Sequence, residues 1–121
     1  MDQLSPIMIH AEEQYLEAAM DWIDSRRLAN HTNISGAMQM ALAYNPINCV
    51  YLMSDGEPEG RETIHDATEL RAFVKQCNTQ NARIMTLALC LGEKYPGEEI
   101  MRGLAEDAGG EYNYIDLSQV R

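Results

Sequence analysis

A chain of 121 residues has room for one domain. With 45% hydrophobic residues it can bury a core, which excludes an intrinsically disordered chain. The formal net charge of -10 argues against a nucleic-acid partner, because binding to a phosphate backbone depends on Lys and Arg neutralising phosphates. No apolar run is long enough to span a bilayer. The opening Met1-Asp2-Gln3-Leu4-Ser5-Pro6 lacks the basic-then-apolar order of a signal peptide. The three cysteines, Cys49, Cys77 and Cys90, are odd in number, widely spaced and free of any C-x-x-C pattern. They read as small buried hydrophobes rather than as a disulfide frame or zinc site, which favours a reducing, cytoplasmic compartment.

Residues 1–10 read as an extended lead-in, with Pro6 as a breaker and Ile7, Met8 and Ile9 as an apolar cluster. From Ala11 to Arg27 the spacing predicts a helix. Tyr15, Ala18, Ala19, Trp22 and Ile23 share a face, acidic residues stand at its start, Arg26 and Arg27 stand at its end, and Trp22 is the expected core anchor. A polar loop, Leu28 to Asn33, precedes a second helix marked by Ile34, Ala37, Met38, Ala41 and Leu42. Thr32 or Asn33 is its expected cap, and Asn45-Pro46 its stop.

Asn48 to Ser54 is a short apolar run that ends in Asp55-Gly56, the pattern of a strand buried on both faces of a parallel sheet. Ile64, Ala67, Leu70, Val74 and Cys77 line the next helix. Arg83 to Leu91 repeats the buried-strand pattern. Ile100, Met101, Leu104, Ala105 and Ala108 mark a fourth helix, closed by Gly109-Gly110. Glu111 to Ile115 is a last strand, and the tail Asp116 to Arg121 has room for a helical turn. Strands alternating with helices imply βαβ units, hence a small α/β domain with a parallel sheet, spanning residues 1–121.

The position of Asp55 carries the chemistry. In open α/β sheets ligands bind outside the carboxyl ends of the strands, and a carboxylate there can ligate a hard cation or its bound water. The same Asp-Gly pair also simply turns the chain. Acid–base catalysis by Asp55 needs a partner group within reach, for which His31 is the candidate. His10 and His65 have no metal-ligand spacing, and P-loop, G-x-G-x-x-G and G-x-S-x-G patterns are absent. An enzyme is therefore the least favoured function.

The order of Thr32-Asn33-Ile34, Ala41-Leu42, the stretch Val50-Tyr51-Leu52-Met53-Ser54-Asp55-Gly56, RIMTLALCLG at 83–92, Leu104-Ala105 and Gly109-Gly110-Glu111-Tyr112 resembles the carboxyl-terminal part of a von Willebrand factor type A domain. Ala19-Met20-Asp21-Trp22-Ile23 resembles the helix before the Thr loop in bacterial members. The resemblance covers nearly the whole chain. It implies a three-layer, Rossmann-like, doubly wound and mainly parallel sheet, here truncated to about three strands with flanking helices. It also implies a protein–protein interaction or scaffold role. The family's metal-ion-dependent adhesion site takes a D-x-S-x-S loop, a Thr and an Asp, with an acidic group of the partner completing the shell. Thr32 and Asp55 match the Thr and the Asp and would be Mg²⁺ ligands. Thr32, Ser54, Asp55, Gly56 and Glu57 would form the partner-binding rim.

The departure from the family is the missing D-x-S-x-S loop. Ser25, Ser35 and Ser54 have no such spacing with an Asp, and the family's first strand has no counterpart. Two oxygen ligands alone predict a weak or absent Mg²⁺ site. The strand residues Cys49, Val50, Tyr51, Leu52 and Met53 would then lie at a bare edge, a template for pairing. Two arrangements cover it: a homodimer through that edge, or a separate chain or N-terminal segment that completes the domain and with it an Mg²⁺-dependent binding module.

Overall fold

The structure, a computed structural model, describes residues 2–26, 31–92 and 94–119. The elements follow in the order α1 (Glu13–Asp24), α2 (Ile34–Leu42), β1 (Cys49–Ser54), α3 (Ala67–Cys77), β2 (Arg83–Cys90), α4 (Glu98–Asp107) and β3 (Tyr112–Asp116), then a 3₁₀ turn at Leu117–Gln119. The three strands form one parallel sheet in the order β1-β2-β3. With a helix between successive strands, the chain is a small α/β fold of Rossmann-like type, as the alternation predicts.

Local chemistry sets the element ends. Asn33, not Thr32, caps α2: its Oδ1 accepts the Gly36 amide at 2.8 Å. Asp66 caps α3 by accepting the Glu69 amide at 2.9 Å. The last helix starts at Glu98, before its first apolar residue, because Glu98 and Glu99 complement the positive end of the helix dipole. It ends at Asp107, and Gly109 just beyond its Ala108 cap has a φ of +67° that suits glycine. Arg27, the loop residues 28–30 and Glu93 lie outside the described residues.

One face of the sheet meets the helical layer. Val50 and Leu52 of β1, and Ile84, Thr86, Ala88 and Cys90 of β2, pair in register on this side. The core joins Val50 and Ile84 to Ile34, Met38 and Leu42 of α2, Leu70 and Val74 of α3, and Ile100 and Leu104 of α4. The one polar side chain buried within the sheet, Thr86, is satisfied by donating to the Met101 carbonyl at 2.7 Å. The opposite face carries Tyr51, Met53, Met85, Leu87, Leu89 and Ile115, and none of these is buried.

Helix α1 departs from expectation. It contributes no buried residue, and Trp22 is half-buried beneath the Arg26 guanidinium, 4.8 Å from its ring centre, rather than anchored in the core. Of the three cysteines, Cys90 is buried while Cys49 and Cys77 are half-buried. Among the described residues, no helix is long and apolar enough to cross a membrane.

Helices α3 and α4 are clasped by a two-pronged ion pair. Arg71 donates through Nε and Nη2 to the Asp107 carboxylate, both at 2.8 Å, and Lys75 lies 3.7 Å away. The Arg71 bonds hold the Asp107 carboxyl below its ordinary range. A carboxyl with a depressed native pKa contributes stability that is full above its unfolded pKa, near ~4, and is lost as pH falls through the native value. Asp107→Asn should therefore cost about 1–2 kcal/mol at neutral pH, discounted for the exposure of Arg71, and should flatten the acid limb of stability against pH in urea titrations.

Candidate functional site

The carboxyl end of β1 runs into a loop, residues 55–66, that is stitched to the start of α2. Ser54 Oγ accepts the Gly56 amide at 3.0 Å, and Asp55 Oδ1 accepts the Glu57 amide at 2.9 Å. This is the side-chain-supported turn that an Asp-Gly pair favours. Further on, the Glu59 amide donates to the Thr32 carbonyl at 2.8 Å. His65 Nε2 donates to the Gly60 carbonyl at 2.6 Å, and Gly60 lies against the His31 side chain.

Beneath the loop, the buried Ser35 hydroxyl accepts the Ile64 amide at 3.1 Å and pairs with the Thr63 hydroxyl at 3.3 Å. The Thr32 backbone and the Ser35 side chain thus tie the acidic loop to α2. Ser35 had no sequence signal, since its role depends on a residue 29 positions away.

A second tie links the loop to α4 through two glycines. Gly56 has φ of +79°, and a Cβ there would overlap the Gly97 carbonyl. A Cβ on Gly97 would in turn overlap the Asp55 carbonyl. The backbones therefore touch directly, which fixes where Asp55 emerges. Gly97 had only a local signal, a Pro-Gly pair ahead of a helix.

The predicted site residues are spread over three hollows. Thr32 and Ser54 line one of about 450 Å³ with His31, Asn33, Glu62 and Asp2. Asp55 and Glu57 line another of about 370 Å³ with Cys90, Lys94, Tyr95 and Leu117. Gly56, buried between the loop and α4, lines a third of about 390 Å³ with Glu57, His65 and Asp66. Thr32 and Asp55 do not share a hollow. Neither do His31 and Asp55.

This bears on the Mg²⁺ implied by the resemblance. Magnesium needs near-octahedral oxygen ligation with some ligands from protein. Asp55 Oδ1 is engaged in its turn, and Thr32 opens on a different hollow. Among the described residues, no three His, Cys, Asp or Glu side chains converge as a metal would require. Thr32 and Asp55, the two residues matched to metal ligands, therefore do not converge on one site.

The second hollow has a distinct polar wall. Tyr95 and Tyr112 share a hydrogen bond between their hydroxyls. Burial, then that bond, pushes the Tyr95 phenol above its ordinary range. Burial also raises the Cys90 thiol, helped by Asp116 and Glu98. Both groups are therefore neutral near pH 7, and neither is an activated nucleophile. Asp116 goes the other way: the Ser118 hydroxyl and the Gly92 amide hold its carboxyl low and lock the end of β3 to the end of β2.

No family model matches the chain.

If backbone contact positions the loop, Gly97→Ala should destabilise the fold by about 1–3 kcal/mol through overpacking. Asp55→Asn, which keeps the Oδ1 acceptor, should shift stability by less than about 0.5 kcal/mol. Urea denaturation of the two variants against the parent checks both.

Proposed function

We propose that this chain is a protein–protein interaction module, similar to the carboxyl-terminal part of a von Willebrand factor type A domain, that works as a homodimer through the free edge of β1. The observation that carries this reading is the state of that edge. The Arg83 amide bonds to the Asn48 carbonyl at 2.9 Å, so Asn48, Val50 and Leu52 turn their backbone groups toward β2. In a parallel ladder the alternate residues point the other way. Cys49, Tyr51 and Met53 therefore direct their amides and carbonyls away from the sheet. Tyr51 and Met53 are 77% and 65% exposed.

Such an edge lacks the usual protections. Natural edges are blunted by lysine, proline, bulges or covering elements, and the six residues CVYLMS contain neither lysine nor proline. Antiparallel pairing with a second copy satisfies the three outward residues of each chain at once and is self-complementary, as a two-fold interface must be. The rim at Thr32, Ser54, Asp55 and Glu57 stands at the end of this strand and remains available to a further protein partner.

Light scattering after size exclusion should give twice the 13.6 kDa chain mass, with or without Mg²⁺. Tyr51→Lys/Met53→Lys should return the chain to monomer, because lysines repel across the paired edge. A monomeric parent chain, or a dimer that these lysines leave intact, would overturn the edge pairing.

A further inference from the structure

Among the described residues, two apolar surfaces lack a partner, and they fit one another. The first is the stripe on α1. Leu16, Met20 and Ile23 are 54%, 59% and 57% exposed, and Tyr15 extends the same face. The second is the open face of the sheet, where Tyr51 and Met85, Met53 and Leu87, and Leu89 and Ile115 lie side by side in register. A helix of 12 residues is marginal in water without tertiary packing. Parallel sheets, for their part, are almost always covered on both faces. Each surface needs what the other offers.

The dimensions agree. A 12-residue helix is about 18 Å long and ~10 Å across. Three strands set the outer pair ~10 Å apart, and Met85 to Leu89 extends the face ~13 Å along the strand. One helix therefore covers one open face.

Interface size decides which copy's helix does so. A six-residue edge about 20 Å long offers a strip of only a few hundred Å², short of the ~800 Å² per partner typical of a stable interface. An antiparallel β1–β1 ladder also has its two-fold axis normal to the sheet, so both helical layers fall on one side and both open faces on the other. Edge pairing alone thus leaves a doubled apolar surface. A helix packed on its own sheet would cover that surface without enlarging the contact between copies. A helix packed on the partner's sheet does both.

We propose that in the dimer α1 of each copy lies across the open sheet face of the other copy, so that the two helices are exchanged. This rests on the edge pairing proposed above.

The test uses the full chain. Leu16→Lys/Met20→Lys places two charges in the α1 stripe, where neither residue supports the core, so the circular dichroism of the α/β body should persist. The expected result is a dimer dissociation constant at least ten-fold higher by sedimentation equilibrium. In a second measurement, one copy carrying Met20→Cys is mixed with another carrying Leu87→Cys and oxidised. Mass spectrometry should find a disulfide joining the two introduced thiols, one from each copy. A dimer unaffected by the lysines, or no such cross-link, would overturn the exchange while leaving edge pairing intact. A monomeric parent chain would overturn the edge pairing itself.

Discussion

A parallel sheet has two apolar faces and two hydrogen-bonding edges, and its stability depends on what closes them. In this protein the β1–β2 ladder is the hinge of that problem. It joins the first strand to the central one in register from Cys49 and Arg83 to Ser54 and Ala88, and it settles which side chains of β1 face the helices and which face away. Val50 and Leu52 enter the core, while Tyr51 and Met53 point to the other side. At the same time the backbone groups of Cys49, Tyr51 and Met53 turn outward. One set of alternate residues is thereby exposed by both backbone and side chain.

The loop above β1 owes its shape to contacts from three elements. Ser35 on α2 holds its far end, the Thr32 carbonyl holds its middle, and the Gly97 backbone at the start of α4 holds its base. Asp55 closes a turn, and Thr32 contributes its carbonyl to the loop. The loop is consequently fixed against both α2 and α4. The Arg71–Asp107 clasp performs the same office on the helical side, where it fixes α3 against α4 and so keeps both in contact with the sheet.

Much of the fold was legible in the sequence, for identifiable reasons. Apolar repeats at three and four residues marked α2, α3 and α4, and continuous apolar runs marked β1 and β2 as strands, but the burial on both faces that such runs predict is met on the helix-facing side alone, since Tyr51 and Met53 are exposed. The site was less legible. Asp55-Gly56 stood out as a strand-end carboxylate, and a turn and a ligand give the same local pattern. Asn33 and Thr32 were equivalent as caps in one dimension, and only the Gly36 amide distinguishes them. Trp22 looked like a core anchor because its helix is amphipathic. An amphipathic stripe says that a helix has an apolar face, and it does not say what meets it.

By itself, then, the sequence determined the class of fold, the positions of the strands and of the four helices, and the placement of a carboxylate at the end of β1. These follow from local periodicity and turn chemistry, which act over a few residues. Tertiary structure alone decided that Thr32 and Asp55 open on separate hollows, that Ser35 and Gly97 hold the loop, and that α1 stands apart from the core. Those outcomes depend on which distant segments meet, and a pairing between residues tens of positions apart leaves no trace in the spacing of either one.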